Sequence, residues 1–308
     1  MTHTLASAGI TVFERGWLSS NNVLIQGDGP SALVDSGYAS HAQQTKTLVQ
    51  SEMGERTLSH LLNTHLHSDH CGGNAALQAI YPDLQTWIPP GLAPAVANWD
   101  PIALTFEPTG QFCPPFSYKA LLVPGEALQL GTWNWDIHAA KGHDPHAVVL
   151  FQPELGILIS ADALWQNGFG IVFPELDGES AFDEVADTLD LIEALAPRIV
   201  IPGHGSVFDD VADALHRARS RLAQFVAQPD KHRRHALKVL VKFKLLEWQQ
   251  IRTEAMLDWV LQTPYFMRHL PTEALTDRHM GQTWLDQLLL ELERSNALRR
   301  DKGLVYNN

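Results

Sequence analysis

The sequence predicts an α/β (α+β) fold in which helices pack outside a two-sheet core, followed by a mainly helical C-terminal region. Three observations predict it. Short apolar runs bounded by turn signals come first, and then strand-like and helical segments alternate. The composition is globular: 308 residues, 45% hydrophobic and 19% charged, enough for a sizeable core in one large domain or in a domain with a smaller companion. The charge is uneven. Residues 1–210 hold 6 Lys/Arg against 24 Asp/Glu, and residues 211–308 hold 16 against 11, within a net charge of −13. Such a shift divides the chain into 1–210 and 211–308. A merely solubilising surface explains the acidic excess equally well.

The elements follow in order. "NNVLIQGDGPSALVDSG", 21–37, reads as strand, Gly-Asp-Gly-Pro turn, strand. Residues 40–52 read as a helix. "TLSHLLNT", 57–64, fits a buried strand, and "GGNAALQAI", 72–80, a helix start. Strands are expected around 119–123, 127–130, 133–139, 147–152 and 156–160. A helix is expected over 180–195, and "PRIVIPGHG", 197–205, is a strand entering a tight loop. Beyond 210, "VADALHRARSRLAQFVAQ" and "HRRHALKVLVKFKLLEW" read as amphipathic helices separated by "PDK". Further helices are expected over 253–262 and 282–297, and "ALRRDKGLVYNN" reads as a short basic hairpin. Helices closed by a small β-wing make a winged-helix-like region.

Several classes are set aside. No run of about 18 apolar residues occurs, so no membrane-spanning helix is expected. The N-terminus lacks a basic start followed by an apolar core, so no signal peptide is expected. Cys71 and Cys113 give no disulfide framework. A cytoplasmic location is the expectation that follows.

The stretch "NTHLHSDHCGG", 63–73, crowds three histidines and an aspartate into six positions. His65 and His67 are two apart, so in an extended segment they project to one side. Asp69 and His70 come where the strand has ended and the chain turns. One loop can therefore feed two adjacent metal positions. Gly72 and Gly73 let the backbone turn into a helix without a Cβ clash. Neutral imidazole and carboxylate suit zinc, and also iron or manganese. Three later residues sit at strand ends or in loops: His143 in "KGHDPH", Asp162 in "ISADALW" and His204 in "IPGHG". The two oxygens of Asp162 can bridge two cations. Two ions about 3.5–4 Å apart would share a bridging hydroxide as nucleophile. The other histidines read as ordinary surface or packing residues.

These residues carry a resemblance. "THLHSDHCGG", with "VDSG" upstream and "GH", "SAD" and "PGHG" downstream in that order, resembles the metallo-β-lactamase superfamily over roughly residues 8–208. The resemblance implies a four-layer αββα sandwich with the metal site at one edge of the two sheets. It implies that His65, His67 and His143 hold one ion, that Asp69, His70 and His204 hold the other, and that Asp162 bridges. Asp35 is implied as a buttress of the ligand loops. Order and spacing are most similar to the glyoxalase II-like and beta-lactamase-like-2 hydrolases, and the tail is similar to the C-terminal region of the latter. Two departures stand out. His146 occupies a position where glycine is expected, as a substrate contact or a packing substitution. Ala161 precedes the aspartate where glycine is usual.

The expected chemistry is hydrolysis of a small organic substrate, a thioester, ester or lactone, by a dinuclear zinc-type centre, with Asp69 orienting the hydroxide or accepting its proton. "DALWQNGFGIVFPEL", 162–176, brings Trp165, Phe169, Ile171 and Phe173 beside Asp162. These aromatics suit an apolar substrate, or else they cover a sheet edge. The Pro-rich 89–108 is a candidate second wall or lid. The principal alternative is a nuclease whose basic tail grips RNA or DNA, but +5 in the tail is modest and −18 in the first part repels a polyanion. A mononuclear-iron dioxygenase and a ligand sensor are further alternatives, and β-lactam hydrolysis is disfavoured because nothing exports the chain. Leu240, Phe243, Leu246 and Trp248 fit intrachain packing in a monomer or the face of a homodimer.

Overall fold

The structure, a computed structural model, describes residues 2–308. It divides into two compact units, the first comprising the chain up to Leu104 with Cys113–Ala227, the second comprising Thr105–Phe112 with Gln228–Asn308.

The first unit opens with the short helix α1 (Thr2–Ser7). Its first sheet has the order β1 (Ile10–Phe13), β2 (Asn22–Ile25), β3 (Ala32–Val34), β4 (His60–Leu62), β5 (Gln85–Ile88), β6 (Ala120–Leu121). The second has the order β11 (Ile199–Pro202), β10 (Ile157–Ala161), β9 (Val148–Gln152), β8 (Trp133–Ala139), β7 (Ala127–Leu130). Helices α2 (Ala42–Met53), α3 (Ser68–Cys71), α4 (Asn74–Ile80), α5 (Ala93–Asn98), α6 (Phe173–Leu176), α7 (Phe182–Leu195) and α8 (Val211–Ala227) complete it.

Side-chain alternation with period two builds the layers. Val23, Ile25, Ala32 and Val34 of the first sheet share one core with Ile137, Leu150, Ile157, Ile159 and Ile201 of the second. Their neighbours face the other way. Leu24, Leu33 and Leu61 pack with Val49 and Met53 of α2 and Leu77 of α4. Leu158 and Val200 pack with Leu189 and Ile192 of α7 and Leu215 and Leu222 of α8. The order is therefore helix, sheet, sheet, helix, and strands covered on both faces read as unbroken apolar runs. α8 stays with the first unit because Ala214, Leu215, Ala218, Leu222 and Phe225 are buried in this outer cluster. Compactness thus divides the chain after Ala227, beyond the change of charge at about 210.

The second unit contains α9 (Pro229–Trp248), α10 (Thr253–Gln262), α11 (Pro264–His269), α12 (Thr272–Thr276) and α13 (Arg278–Arg294). An antiparallel sheet of β12 (Gln250–Arg252), β14 (Leu304–Asn307) and β13 (Leu298–Asp301) closes it. The "PDK" break falls inside α9, because proline fits the first helical turn, where no intrahelical donor is required. The 282–297 helix begins earlier, at Arg278, where the Asp277 carboxylate caps the His279 N–H. Leu240 is buried and Trp248 meets Trp259 edge-on at 5.4 Å, so these side chains pack within the unit. The Tyr265 N–H donates to the Pro108 carbonyl at 2.9 Å, and residues of the Pro-rich segment from Thr105 onward belong here. No helix among the described residues is long and apolar enough to cross a membrane.

Candidate metal centre

The parallel strand pairs decide where the motif residues meet. β3 and β4 are parallel, so Asp35 and the His65–His70 loop leave the sheet at the same end. β10 and β11 are parallel, so Asp162 and His204 emerge together from the second sheet. His143 lies in the loop between β8 and β9. The dispersed residues converge at carboxyl ends of strands, where an α/β sheet leaves a crevice.

Three triads of donor atoms result, each with all its atoms within 4.8 Å of one another: His65, His67 and His143; His65, His70 and Asp162; Asp69, His70 and His204. Asp162 lies between the outer two. Its Oδ2 is 3.4 Å from His143 Nε2, while its Oδ1 is 3.5 Å from His70 Nε2 and 3.8 Å from His204 Nε2. Asp69 Oδ2 lies 3.1 Å from His204 Nε2 and 3.8 Å from His70 Nε2. One carboxylate thus addresses both ends of the cage through separate oxygens.

The ring orientations are fixed from behind. His70 donates from Nδ1 to Asp35 Oδ2 at 2.8 Å, and His143 donates from Nδ1 to the Ile171 carbonyl at 2.6 Å. Each bond turns Nε2 toward the cage, where His143 Nε2 meets His67 Nδ1 at 2.8 Å. Asp35 is itself held by the Thr64 N–H at 2.9 Å and the Thr64 hydroxyl at 2.8 Å.

Nε2 of His65 and Nε2 of His70 are buried without a hydrogen-bond partner in the chain, as is Nδ1 of His204. A buried polar atom left unsatisfied costs about 1–3 kcal/mol. The two Nε2 atoms, converging on Asp162, fit a cation, and the nitrogen and carboxylate donor set suits zinc, iron or manganese.

Electrostatics agree with that fit at His65, His67 and His143, while the carboxylates around His70 favour positive charge, which a cation would supply in place of a proton. Burial pushes His67 and His143 down to about 4, and burial with neighbouring histidines holds His65 well below its ordinary value. All three are neutral at pH 7, the form a metal requires. Burial alone would lower His70 too, but Asp35, Asp162 and Asp69 outweigh it and hold it well above its usual value. Burial would raise Asp162, yet His204, His70 and His143 together keep it well below the ordinary carboxylate range.

The two glycines after His70 are explained by crowding rather than by unusual torsions. Gly72 has φ −62° and Gly73 φ −85°. A Cβ on Gly72 would lie 2.5 Å from the Ala39 nitrogen, and one on Gly73 2.5 Å from the Ser36 carbonyl oxygen. Ala161, by contrast, does occupy the left-handed region at φ 47°, which accounts for the expectation of glycine there.

The expected substrate contacts separate. Trp165 donates from Nε1 to Asp162 Oδ1 at 3.2 Å. Phe173 stands edge-on to His67 at 5.1 Å and to His143 at 5.7 Å. Phe169 is 2% exposed and packs on Phe225, so it serves the core rather than a pocket. His146 is exposed and packs against Gly91, lining a cavity of about 290 Å³ with Pro90, Pro124 and Lys141. None of these lining residues belongs to the cage.

Two residues were not singled out by sequence. Asp144, buried, places Oδ2 3.7 Å from His67 Nε2; its place directly after His143 was the available signal. Trp17 stacks on His204, with ring centroids 5.3 Å apart and planes 10° from parallel. It sits in a loop with no motif, so only the fold reveals it.

Comparison with known proteins places this geometry. The metallo-beta-lactamase superfamily profile matches residues 15–204. A hydroxyacylglutathione hydrolase of Xanthomonas euvesicatoria pv. vesicatoria (strain 85-10) is 28% identical over 239 residues, 75% of this chain and 80% of that protein. The lactamase-like protein nscB of Aspergillus fumigatus is 24% identical over 73% of this chain, which spans only 58% of that relative. The fold matches a metallo-beta-lactamase family protein from Thermus thermophilus with TM-score 0.56 and 17% identity, covering 97% of this chain and 99% of that one. With the profile spanning more than half its length, the chain belongs to the metallo-beta-lactamase superfamily.

Proposed function

We propose that this metal-dependent hydrolase holds two divalent cations and cleaves a small organic thioester, ester or lactone. His65, His67 and His143 hold one ion in this reading, Asp69, His70 and His204 hold the other, and Asp162 serves both. The observation that carries it is the divided reach of Asp162, one oxygen toward His143 and the other toward His70 and His204. When bound, such ions would supply Lewis acidity, making water a better nucleophile near neutral pH and polarising a carbonyl oxygen. Zinc, iron and manganese all fit the donors.

The chain's own groups supply the rest. Asp69, with a side chain 13% exposed against 7% for Asp162, is the carboxylate that would orient the attacking water and accept its proton. Water oxygen joins the acyl carbon, the bond to sulfur or oxygen breaks, and the leaving group departs with a proton. Asp35 and the Ile171 carbonyl hold the His70 and His143 rings in the ligand tautomer. The relative named hydroxyacylglutathione hydrolase supports a thioester.

The charges of the second unit speak against the nuclease alternative. Arg234 and Lys238 pair with Glu291, Arg278 with Asp258, and Arg300 with Glu293 and Asp286. These pairs engage four of the unit's basic groups, and the acidic excess of residues 1–210 repels a polyanion. A panel of thioester, ester, lactone, phosphodiester and β-lactam substrates, assayed on metal-loaded protein, tests the reading. Turnover confined to the first three is expected. Hydrolysis of the phosphodiester alone would overturn it.

A further inference from the structure

Trp17 is 57% exposed, yet it is not a loose surface residue. Its loop is sewn to both halves of the cage. The Ser20 N–H donates to the Asp69 carbonyl at 3.0 Å, and the Asn21 N–H donates to the Gly203 carbonyl at 2.7 Å. The Asn21 side-chain amide donates to the carbonyls of Pro202 and Gly205 at 3.0 and 2.7 Å. Glu14 accepts from the Ser206 hydroxyl at 2.9 Å and from the Val207 N–H at 3.2 Å. These bonds hold the loop's backbone against the segments bearing Asp69 and His204, and ring contacts with His204 and Trp165 seat the indole.

It stands in a three-ring cluster. Trp17 lies parallel to His204 at 5.3 Å, Trp165 stands across His204 at 5.5 Å, and the two indoles meet at 5.4 Å and 70°. Trp165 is held in turn by its bond to Asp162 and by Arg217, whose Nε donates to the Gln166 carbonyl at 2.7 Å. Phe173 flanks the opposite, His67 and His143 side of the cage. The aromatic side chains beside the candidate metal ligands are uncharged on both flanks.

An indole pair set at a steep angle makes a corner of two apolar faces. Such a corner favours a flat ring over an aliphatic chain, through stacked and edge contacts beyond simple area burial. Holding it rigid removes the entropy cost of ordering it on binding. We propose that Trp17 and Trp165 form the acyl-binding wall of the site, and that the preferred substrate presents an uncharged aromatic acyl group to it. The inference rests on the hydrolytic reading of the cage for its reaction and on the two indoles for its specificity.

The test compares S-benzoyl and S-acetyl N-acetylcysteamine as substrates of the metal-loaded wild type, Trp17→Ala and Trp17→Phe, together with quenching of tryptophan fluorescence by benzoate and acetate in metal-free protein. The wild type is expected to favour the benzoyl thioester in kcat/KM, the preference falling about tenfold in Trp17→Ala and largely returning in Trp17→Phe. Benzoate is expected to quench the wild type and to lose that quenching in Trp17→Ala, with acetate inert in both. Equal rates on the two thioesters, or an unchanged preference in Trp17→Ala, would overturn the wall while leaving hydrolysis intact. If neither thioester is cleaved, the hydrolytic reading is what suffers, and benzoate quenching judges the wall alone: identical quenching in wild type and Trp17→Ala would overturn it.

Discussion

Asp35 is buried and lies in the left-handed region at φ 59°, a conformation that costs most residues about 1–2 kcal/mol. Its two oxygens accept from Thr64 and His70, which explains why so awkward a position is kept. Asn tolerates the same torsions but offers one acceptor oxygen instead of two. Asp35→Asn is therefore expected to keep the fold and to weaken metal affinity about 10- to 100-fold, measured by competition with a chromogenic chelator. Unchanged affinity would remove Asp35 from the account. Ala161 bears the same torsional strain at φ 47° without such a reward. Ala161→Gly relieves it and adds unfolded-state entropy, so urea unfolding is expected to show equal stability or a gain of up to about 1 kcal/mol. At this scale the sequence was informative wherever spacing encodes chemistry. His65, His67, Asp69 and His70 were legible from one loop, and Asp162 and His204 from the strands that end at them. Trp17 was not, because its partner His204 is brought to it by loop hydrogen bonds and not by any local pattern.

At the scale of elements, the strand ends do the positioning, and the loops leave almost no free volume. A Cβ on Gly203 would overlap Asp162 Oδ1 and stand 3.1 Å from His70 Cε1. Displacing a ligand by about an ångström can cost on the order of 100-fold in rate. Gly203→Ala is expected to lose at least that much turnover while retaining the wild-type far-UV circular dichroism. Activity within a few-fold of wild type would show that Asp162 tolerates the shift. Strand identities were readable because β2, β3, β10 and β11 are buried throughout and, Asn22 and Ser160 apart, apolar, as strands covered on both faces tend to be. Short helices were harder. α11 and α12, of six and five residues, are too brief to show a helical period. Phe169 was misplaced for a related reason: an apolar loop beside a site looks the same in sequence whether a residue faces the cavity or, as here, Phe225.

For the molecule as a whole, the layered core and the cage are one construction. The four layers bring loops from both sheets together, and buried histidines and carboxylates crowd there at a cost that a cation offsets. Metal removal is accordingly expected to lower the melting temperature by about 10 °C, the consequence of losing roughly 4 kcal/mol of binding linkage at saturating metal. Scanning calorimetry with and without a chelator checks this. The charge shift at about 210 precedes α8, which carries basic residues outward while its apolar face joins the first unit's core. The most direct test of the central claim is metal stoichiometry, measured by elemental analysis of protein stripped, equilibrated in turn with zinc, iron(II) and manganese, and freed of excess metal. Two ions per chain are expected in the wild type with at least one of these metals, and at most one in Asp162→Asn. A wild type that retains no stoichiometric metal from any of the three, or an Asp162→Asn variant that still holds two, would contradict the account.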